Sequence, residues 1–200
     1  MRERGGMSFA ALPATAAWSH RDTRSGFEVV YFERLDDGGL RIDGCTTALD
    51  EDGTWFVEYS ITVAADWHTR AARVTGRSWS GRREVVLEST GIGHWLVDGK
   101  PAQRLNGCLD VDLESSALTN ALPIHRMDPP VGTRVATPAA YVRASDLSVH
   151  RLEQQYQRTA DTNGHYRYEY LAPAFDFTSQ LIYDEAGLVL EYPGIATRAG

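Results

Sequence analysis

Hydrophobic and polar residues alternate along most of the chain, and each alternating stretch stops at turn-forming residues. The run FEVVYFERL over 27–35 stops at DDGG, and GLRIDGCTTAL over 39–49 stops at DEDG. The next run, TWFVEYSITVA over 54–64, leads into DWHTRAARVTG over 66–76. A period of two is that of a β-strand with one buried face, and Asp- and Gly-rich breaks between such runs are typical of hairpins. This pattern predicts an antiparallel meander.

The same alternation continues almost to the end of the sequence. Only residues 115–122 and the extreme N-terminus leave room for a short helical turn. So many strands must form a sandwich, a closed barrel, or one large sheet curled around something. The further predicted strands cover 83–90, 94–99, 108–114, 139–145, 149–159, 165–171, 175–184 and 187–193.

The tyrosines help to choose among these architectures. Tyr166, Tyr168 and Tyr170 line one face of the strand over 165–171, and the face that contains Tyr156 mixes polar with apolar residues. Such a stripe is typical of ordinary core or cross-strand packing, but buried hydroxyls need partners, and a partly hydrated, amphipathic cavity would supply them. We therefore predict a mostly β fold with little helix. A sandwich, a closed barrel and one large curled sheet all agree with this pattern.

Length and charge limit the organisation and the partners. With 200 residues and no shift in composition, the chain is predicted to form one domain over 1–200, with a core over about 16–198 and flexible residues 1–14. The 27 acidic residues outnumber the 20 basic ones, which disfavours a nucleic acid partner. No run of about 20 apolar residues occurs, so no transmembrane segment is expected.

The cysteines and the N-terminus bear on the compartment. Cys45 and Cys108 have no CxxC partner and no metal-type spacing to histidine, which favours reduced thiols in a reducing interior. The start MRERGGMSFAALPATAAW imitates a secretory signal, but it lacks the Leu-rich core that such a signal needs. A cytoplasmic location is therefore expected. The sequence contains no HExxH, P-loop, GxSxG or GxGxxG motif that would indicate a metal, a cofactor or a serine nucleophile.

A carboxylate-bearing strand is the best candidate for chemistry. In GCLDVDLE over 107–114, Asp110, Asp112 and Glu114 share one face. Alternate positions place the first two roughly 6.5 to 7 Å apart at the backbone, a spacing compatible with acid–base work, with a metal, or with a solvated or Arg-paired face. A metal would need further ligands, and a catalytic acid would need an apolar pocket.

The loop after this strand carries further polar residues. Asn120 and Pro123 argue for a fixed loop that the strand delivers to the rim of the sheet. Arg126 could hold an anionic head group by forked hydrogen bonds, or it could pair internally with Asp110 or Asp112. The internal ion pair is slightly favoured.

Several segments together resemble a known family. They are GCLDVDL, TNALPIHRM, the strand ending QQY, YEY and the closing GLVLEYPGIATR, together with Trp18 and DWHTR. In this order they resemble the bacterial family described as "putative glycolipid-binding", formerly a domain of unknown function. The resemblance runs from about Trp18 to Arg198. It implies a fold similar to periplasmic lipoprotein and lipid carriers, whose curved half-barrel sheets hold acyl chains. With this resemblance, the expected fold is a single large curved antiparallel sheet that forms an incomplete (half) barrel, with a concave face open to an amphiphile.

The leading hypothesis is non-catalytic binding of a lipid or glycolipid on the concave face, with no cofactor and no metal. One alternative is a small-substrate hydrolase or isomerase with Asp110 or Asp112 as base, His125 as acid and Arg126 as anion clamp. A second alternative is a protein-interaction module that uses the same Trp and Tyr side chains as anchors. The candidate ligand-binding residues are Trp67, Arg70, Trp95, Asp110, Asp112, Asn120, Arg126, Tyr156, Tyr168 and Tyr170.

Overall fold

A computed structural model of the chain describes residues 9–90 and 92–200. The alternating runs form strands as predicted, and one short helix follows the carboxylate strand. The strands are β1 (Thr15–His20), β2 (Ser25–Arg34), β3 (Leu40–Asp50), β4 (Gly53–Val63), β5 (Thr69–Ser78), β6 (Gly81–Ser89), β7 (Trp95–Val97), β8 (Lys100–Pro101), β9 (Asp110–Leu113), β10 (Arg134–Ala136), β11 (Ala139–Val142), β12 (Val149–Leu152), β13 (Gln155–Thr162), β14 (His165–Ala172), β15 (Phe177–Tyr183), β16 (Val189–Tyr192) and β17 (Ala196–Arg198). The helical pieces are three 3₁₀ turns, at Gln103–Leu105, Leu118–Asn120 and Pro173–Phe175, and helix α1 (Ala121–Arg126).

Fourteen of these strands form one antiparallel sheet that is not closed into a barrel. Its order is β10-β13-β14-β15-β16-β17-β1-β2-β3-β4-β5-β6-β7-β8. The edge strands β10 and β8 do not pair with each other within the described residues. In the middle of the sheet, β1, the first strand of the chain, pairs with β17, the last. The predicted fold class, a mostly β protein with one large curved sheet and little helix, is confirmed.

A second, three-stranded sheet lies against the inner face of the first. Its order is β12-β11-β9, and β9 and β11 run parallel, with Asp112 opposite Tyr141. The prediction of antiparallel pairing alone was therefore incomplete. A parallel pair needs a crossover connection, and here the chain between β9 and β11 contains α1 and the edge strand β10.

The segment from 103 to 152 fills the space that the large sheet encloses. Leu113 and Leu122 belong to a core cluster with the inner side chains of β2 to β6, whereas Ile124 and Leu152 belong to a second cluster with those of β13 to β16. Contacts with both halves of the sheet are expected if the sheet curls around this segment. The concave face is therefore largely covered by the chain itself, and any ligand must use the space that remains.

Some elements differ from the sequence-based prediction. Strand β1 was not predicted, because TAAWSH offers only one large apolar side chain in a run of small residues. The predicted strand over 149–159 is divided into β12, in the small sheet, and β13, in the large one. The short strands β8, β10 and β17 were also missed. The helical turn begins within the expected range 115–122 but continues to Arg126.

The described residues ahead of β1 pack on the rest of the protein. The N–H of Ala10 donates to the carbonyl oxygen of Glu185 at 2.8 Å, and Leu12 packs against the main core cluster. Residues 1–8, on which part of the expected flexible segment falls, lie outside the described residues. In the part of the chain that is described, no helix is long and apolar enough to cross a membrane.

Candidate functional site

A cavity of about 320 Å³ remains between the small sheet and the strands β14 to β16. The cavity opens where the turns β1–β2, β3–β4, β14–β15 and β16–β17 meet. These turns lie at one end of the sheet, and they form the rim of the cavity. Both charged and aromatic side chains line it, as is typical of ligand pockets. The lining residues are Thr23, Arg24, Asp50, Asp112, Leu113, Glu114, Ser116, Asn120, Tyr141, Leu152, Tyr170, Phe175, Phe177, Tyr192 and Ile195.

Asp112 forms part of the buried floor of the cavity. The hydroxyl of Thr119 donates to Asp112 Oδ1 at 2.9 Å. Burial raises the pKa of the Asp112 carboxyl to about 6, and the nearby carboxylates of Asp110 and Glu114 push in the same direction. Asp112 therefore carries its proton over a wider pH range than an exposed aspartate does.

Glu114 and Tyr141 lie together on the side of the cavity formed by the small sheet. Glu114 Oε2 accepts a hydrogen bond from the backbone N–H of Ala144 at 2.7 Å, which holds the side chain across the β9–β11 pair. Burial raises the pKa of Tyr141, and the neighbouring Glu114 carboxylate raises it further. Tyr141 is consequently a neutral hydroxyl that can donate a hydrogen bond.

Among the described residues that line the cavity, Arg24 is the one basic residue. Its Nε donates to His20 Nδ1 at 3.1 Å, and its guanidinium lies over the ring of Trp55, 5.5 Å from the centroid. Among residues 9–90 and 92–200, no carboxylate comes within 4 Å of its nitrogens. Burial and the Arg24 charge lower the pKa of His20 to about 4, which keeps this imidazole neutral and able to accept the hydrogen bond.

Aromatic side chains form the opposite wall. The rings of Tyr170, Phe177 and Tyr192 contact one another edge to face, with centroids 6.0 to 6.1 Å apart. The Tyr170 hydroxyl donates to Gln154 Oε1 at 2.9 Å. Phe175 lies at the rim and is 54% exposed. The wall thus presents apolar ring surface to a ligand, and hydroxyls fix the rings from behind.

Glu28, a fully buried carboxylate on β2, anchors the turn that borders the cavity. It accepts hydrogen bonds from the Tyr59 hydroxyl at 2.6 Å, from the backbone N–H of Ala117 at 2.8 Å and from the Ser116 hydroxyl. Burial raises the pKa of Glu28, and these donors oppose that rise. Gly44 makes room for the Tyr59 ring, because a Cβ at this position would lie 2.3 Å from it. No pattern in the sequence predicted this anchor.

A family model whose description is "Putative glycolipid-binding" matches residues 15–198. The chain belongs to this family. The membership confirms the resemblance expected from the sequence motifs.

Two solved structures are similar to this family member. A DUF1089 family protein from Pseudomonas aeruginosa is 33% identical, with a TM-score of 0.73 over 96% of this chain and 98% of that chain. A beta-barrel-like protein of the domain of unknown function DUF1849 from Brucella abortus is 11% identical, with a TM-score of 0.51 over 96% of each chain. At that identity the second likeness shows the fold alone. No protein of curated function matches the sequence.

Three of the sequence-predicted site residues line the cavity of this family member, namely Asp112, Asn120 and Tyr170. Tyr156 lies directly behind them, since its hydroxyl donates to Asn120 Oδ1 at 2.8 Å. Tyr168 is buried in the neighbouring core cluster, where burial raises its pKa to about 12. The structure therefore brings part of the predicted set together and uses the rest as its support.

Asp110 and Arg126 form an internal ion pair. Arg126 Nε lies 3.1 Å from Asp110 Oδ1, and Nη2 lies 2.5 Å from Oδ2. The favoured interpretation of Arg126, pairing within the protein, is confirmed. This forked contact occupies both groups.

The remaining predicted residues lie away from the cavity. Trp67 has a positive φ of 68° and stacks on the His125 ring at 3.7 Å between centroids. Arg70 is exposed and pairs with Asp37, and Trp95 is buried and donates to the Cys108 carbonyl oxygen at 2.9 Å. His125 lines a different cavity from Asp112, and the other candidate base of the hydrolase alternative, Asp110, is paired with Arg126.

Sequence reasoning missed several residues that line the cavity, above all Arg24, Tyr141 and Tyr192. Tyr192 lies in the closing family motif GLVLEYP, so the motif pointed to it. Arg24 had no signal, because it sits in a turn whose neighbours come from distant parts of the chain. Within the described residues, no three His, Cys, Asp or Glu side chains converge to hold a metal ion.

Proposed function

We propose that the protein binds a glycolipid or a similar amphiphile without catalysing a reaction, using the cavity that Asp112, Arg24 and Tyr170 line. The observation that carries this proposal is the combination of charged hydrogen-bonding groups with an aromatic wall in one cavity, in a member of a family described as glycolipid-binding. Such a cavity matches a ligand that is polar at one end and apolar at the other.

The polar groups suit the hydroxyls of a sugar. Asp112 and Glu114 accept hydrogen bonds, Arg24 donates them, and Tyr141 can do either. The rings of Tyr170 and Tyr192 offer flat apolar surface to the C–H groups of a sugar ring or to the first methylenes of a chain.

The size of the cavity limits how much of the ligand it can hold. Its volume of about 320 Å³ is at the lower end of the range of roughly 300 to 1,000 Å³ typical of small-molecule sites. One part of an amphiphile fits inside, and the rest must lie at the rim near Phe175.

A cytoplasmic location remains part of the proposal, because Cys45 and Cys108 are not bonded to each other.

The proposal is tested by calorimetric titration of the purified chain with alkyl β-glucosides of increasing chain length, below their micelle concentrations. Each methylene that contacts the aromatic rim contributes up to roughly 0.8 kcal/mol, so affinity should rise over the first carbons and then level off. Tyr192→Ala should weaken binding of every member of the series. Tyr31→Ala is the matched control, since Tyr31 is 59% exposed on the outer face of β2.

The expected result is saturable binding that Tyr192→Ala weakens and Tyr31→Ala leaves unchanged. Native mass spectrometry of the purified protein gives an independent readout, because a retained amphiphile adds a discrete mass to the intact chain. Absence of binding across the whole glucoside series, together with an unliganded native mass, would contradict the proposal.

A further inference from the structure

We infer that the cavity holds the head group of the ligand, and that this head group is a neutral or cationic sugar, whereas anionic head groups are rejected. The inference rests on the proposed function and narrows it. It follows from the charges on the lining side chains and from the hydrogen-bonding groups that they leave free.

Polar side chains line the cavity from its buried part to its rim. Ser116, Asn120 and Asp112 are 4%, 4% and 7% exposed, whereas Arg24 and Asp50 belong to the turns at the rim. An acyl chain placed among these groups would leave them unpaired, which is costly. A head group that forms hydrogen bonds with them is therefore the favourable occupant of the cavity.

The charges that line the cavity are mostly negative. Among the described lining residues, the three carboxylates of Asp50, Asp112 and Glu114 outnumber the one guanidinium, that of Arg24. Asp110, directly behind the floor, is neutralised by Arg126 and adds little to the balance. A phosphate, sulfate or carboxylate on the ligand would meet like charges at short range in a partly dehydrated site, which costs several kcal/mol in comparable interfaces.

The hydrogen-bonding groups that line the cavity are not all used within the protein. Thr119 occupies one oxygen of Asp112, and among the described residues no hydrogen bond reaches the other oxygen. Within the same described residues, the terminal nitrogens of Arg24 have no hydrogen-bond partner. Acceptors and donors that remain free in one cavity match the hydroxyls of a sugar, each of which donates and accepts. Because the pKa of Asp112 is about 6, this carboxyl mainly accepts at neutral pH.

The test uses four octyl amphiphiles that differ only in the head group. They are octyl β-glucoside, its 2-amino-2-deoxy analogue, octyl glucuronide and octyl phosphate, each titrated calorimetrically into the full chain at pH 7.5 and low salt. We expect the glucoside and the amino sugar to bind, and the glucuronide and the phosphate to bind roughly tenfold or more weakly. Octyl glucoside that is already bound should be displaced by methyl β-glucoside but not by octanol.

Variants check that the cavity charges cause this discrimination. Glu114→Gln should reduce the affinity ratio of glucoside to glucuronide, and Arg24→Gln should increase it, because the two changes shift the local charge in opposite directions. The control Glu88→Gln removes an exposed carboxylate on β6 and should leave the ratio unchanged. Two variants with opposite expected effects keep the test valid even if one of them folds poorly.

The outcomes separate this inference from the proposed function. If none of the four octyl compounds binds, the proposed function fails and the inference fails with it. If all four bind with similar affinity, or if octanol displaces octyl glucoside while methyl glucoside does not, the protein still binds amphiphiles and only the inference is overturned.

Discussion

Arg126 donates hydrogen bonds to both carboxylate oxygens of Asp110, with nitrogen–oxygen distances of 3.1 and 2.5 Å. This pair connects the end of α1 to the first residue of β9. The Asp110 side chain is 1% exposed and that of Arg126 is 14% exposed. A buried, forked pair of this kind fixes geometry, because removal of either partner leaves the other charge without compensation. The pair thus holds the floor of the cavity in place from outside it.

Asp110→Asn should therefore destabilise the protein by about 3 kcal/mol, the lower end of what breaking a buried pair costs. The measurement is the free energy of unfolding in urea at neutral pH. Asp37→Asn is the matched control, since Asp37 pairs with the exposed Arg70, and its melting temperature should stay close to that of the parent. Equal stability of the two variants would show that the buried pair has no special role.

Glu28→Gln should lower the melting temperature and weaken ligand binding together. The amide cannot accept hydrogen bonds at both ends, so one of the donors Tyr59, Ser116 and Ala117 N–H loses its partner, at a cost of about 1 to 3 kcal/mol. Binding suffers because Ser116 lines the cavity. Differential scanning calorimetry and octyl glucoside titration measure the two effects, with the exposed Glu58→Gln as control. A stable variant with parental affinity would refute the anchoring role.

Asp112→Asn should change how stability depends on pH. The pKa of Asp112 is raised to about 6 in the folded protein from its ordinary value of 3.8, so the unfolded chain releases this proton first as the pH rises. The Asp112 contribution to stability is therefore fully present below pH 3.8 and is lost as the pH rises to about 6. The stability of the variant relative to the parent should increase across this interval and stay constant above it. Urea unfolding of both proteins from pH 4 to 7 measures the difference.

The buried histidines have the opposite effect on how stability depends on pH, but they do not affect the difference in stability between the Asp112→Asn variant and the parent. Burial lowers the pKa of His20 and His125 to about 4, so their contribution is lost as the pH falls from 6.5 to 4. Both residues are present in the parent and in the variant, and their effects cancel in the difference. A difference that is independent of pH would show that Asp112 is not perturbed by burial.

The two thiols should differ in reactivity. Cys45 is exposed on the outer face of β3, whereas Cys108 is buried, and burial raises the pKa of Cys108 to about 11. Because the thiolate is the reactive form, a disulfide reagent should label Cys45 in the folded protein and both residues only after unfolding. Cys45→Ser should abolish labelling of the folded chain. A linked Cys45–Cys108 peptide after digestion without reductant would contradict both the free thiols and the proposed cytoplasmic location.

The strand content followed from alternation, because side chains such as Tyr166, Tyr168 and Tyr170 point to one face whatever their partners are. The open sheet did not follow from alternation, which fits a sandwich or a closed barrel equally well, and it was expected from the family resemblance. Strand β1 did not follow, since small residues such as Ala16 and Ala17 carry no clear period. The inner sheet was also missed. Its parallel pair β9–β11 depends on a crossover, and local pattern contains no information about which distant strand becomes the partner.

The cavity was predictable only in part, for a related reason. Asp112, Asn120 and Tyr170 were identified because they lie in polar or aromatic patterns on predicted strands and loops. Arg24 and Tyr141 are brought to the cavity by pairing between segments far apart in sequence. From the sequence alone, β9 could have exposed its carboxylates to solvent. The structure shows instead that all of β9 is buried.

The pairing of β1 with β17 has a consequence for how the chain folds. Each half of the large sheet is a meander whose contacts are local, but the junction between the halves joins residues such as Trp18, whose Nε1 donates to the Val189 carbonyl oxygen 171 positions away. Contacts of such separation close a very long loop and form slowly. We expect the two halves of the large sheet to form first and the pairing between β1 and β17 to form last. Pulsed hydrogen exchange during refolding should then show late protection of Thr15–His20 and Ala196–Arg198 in the very middle of the finished sheet.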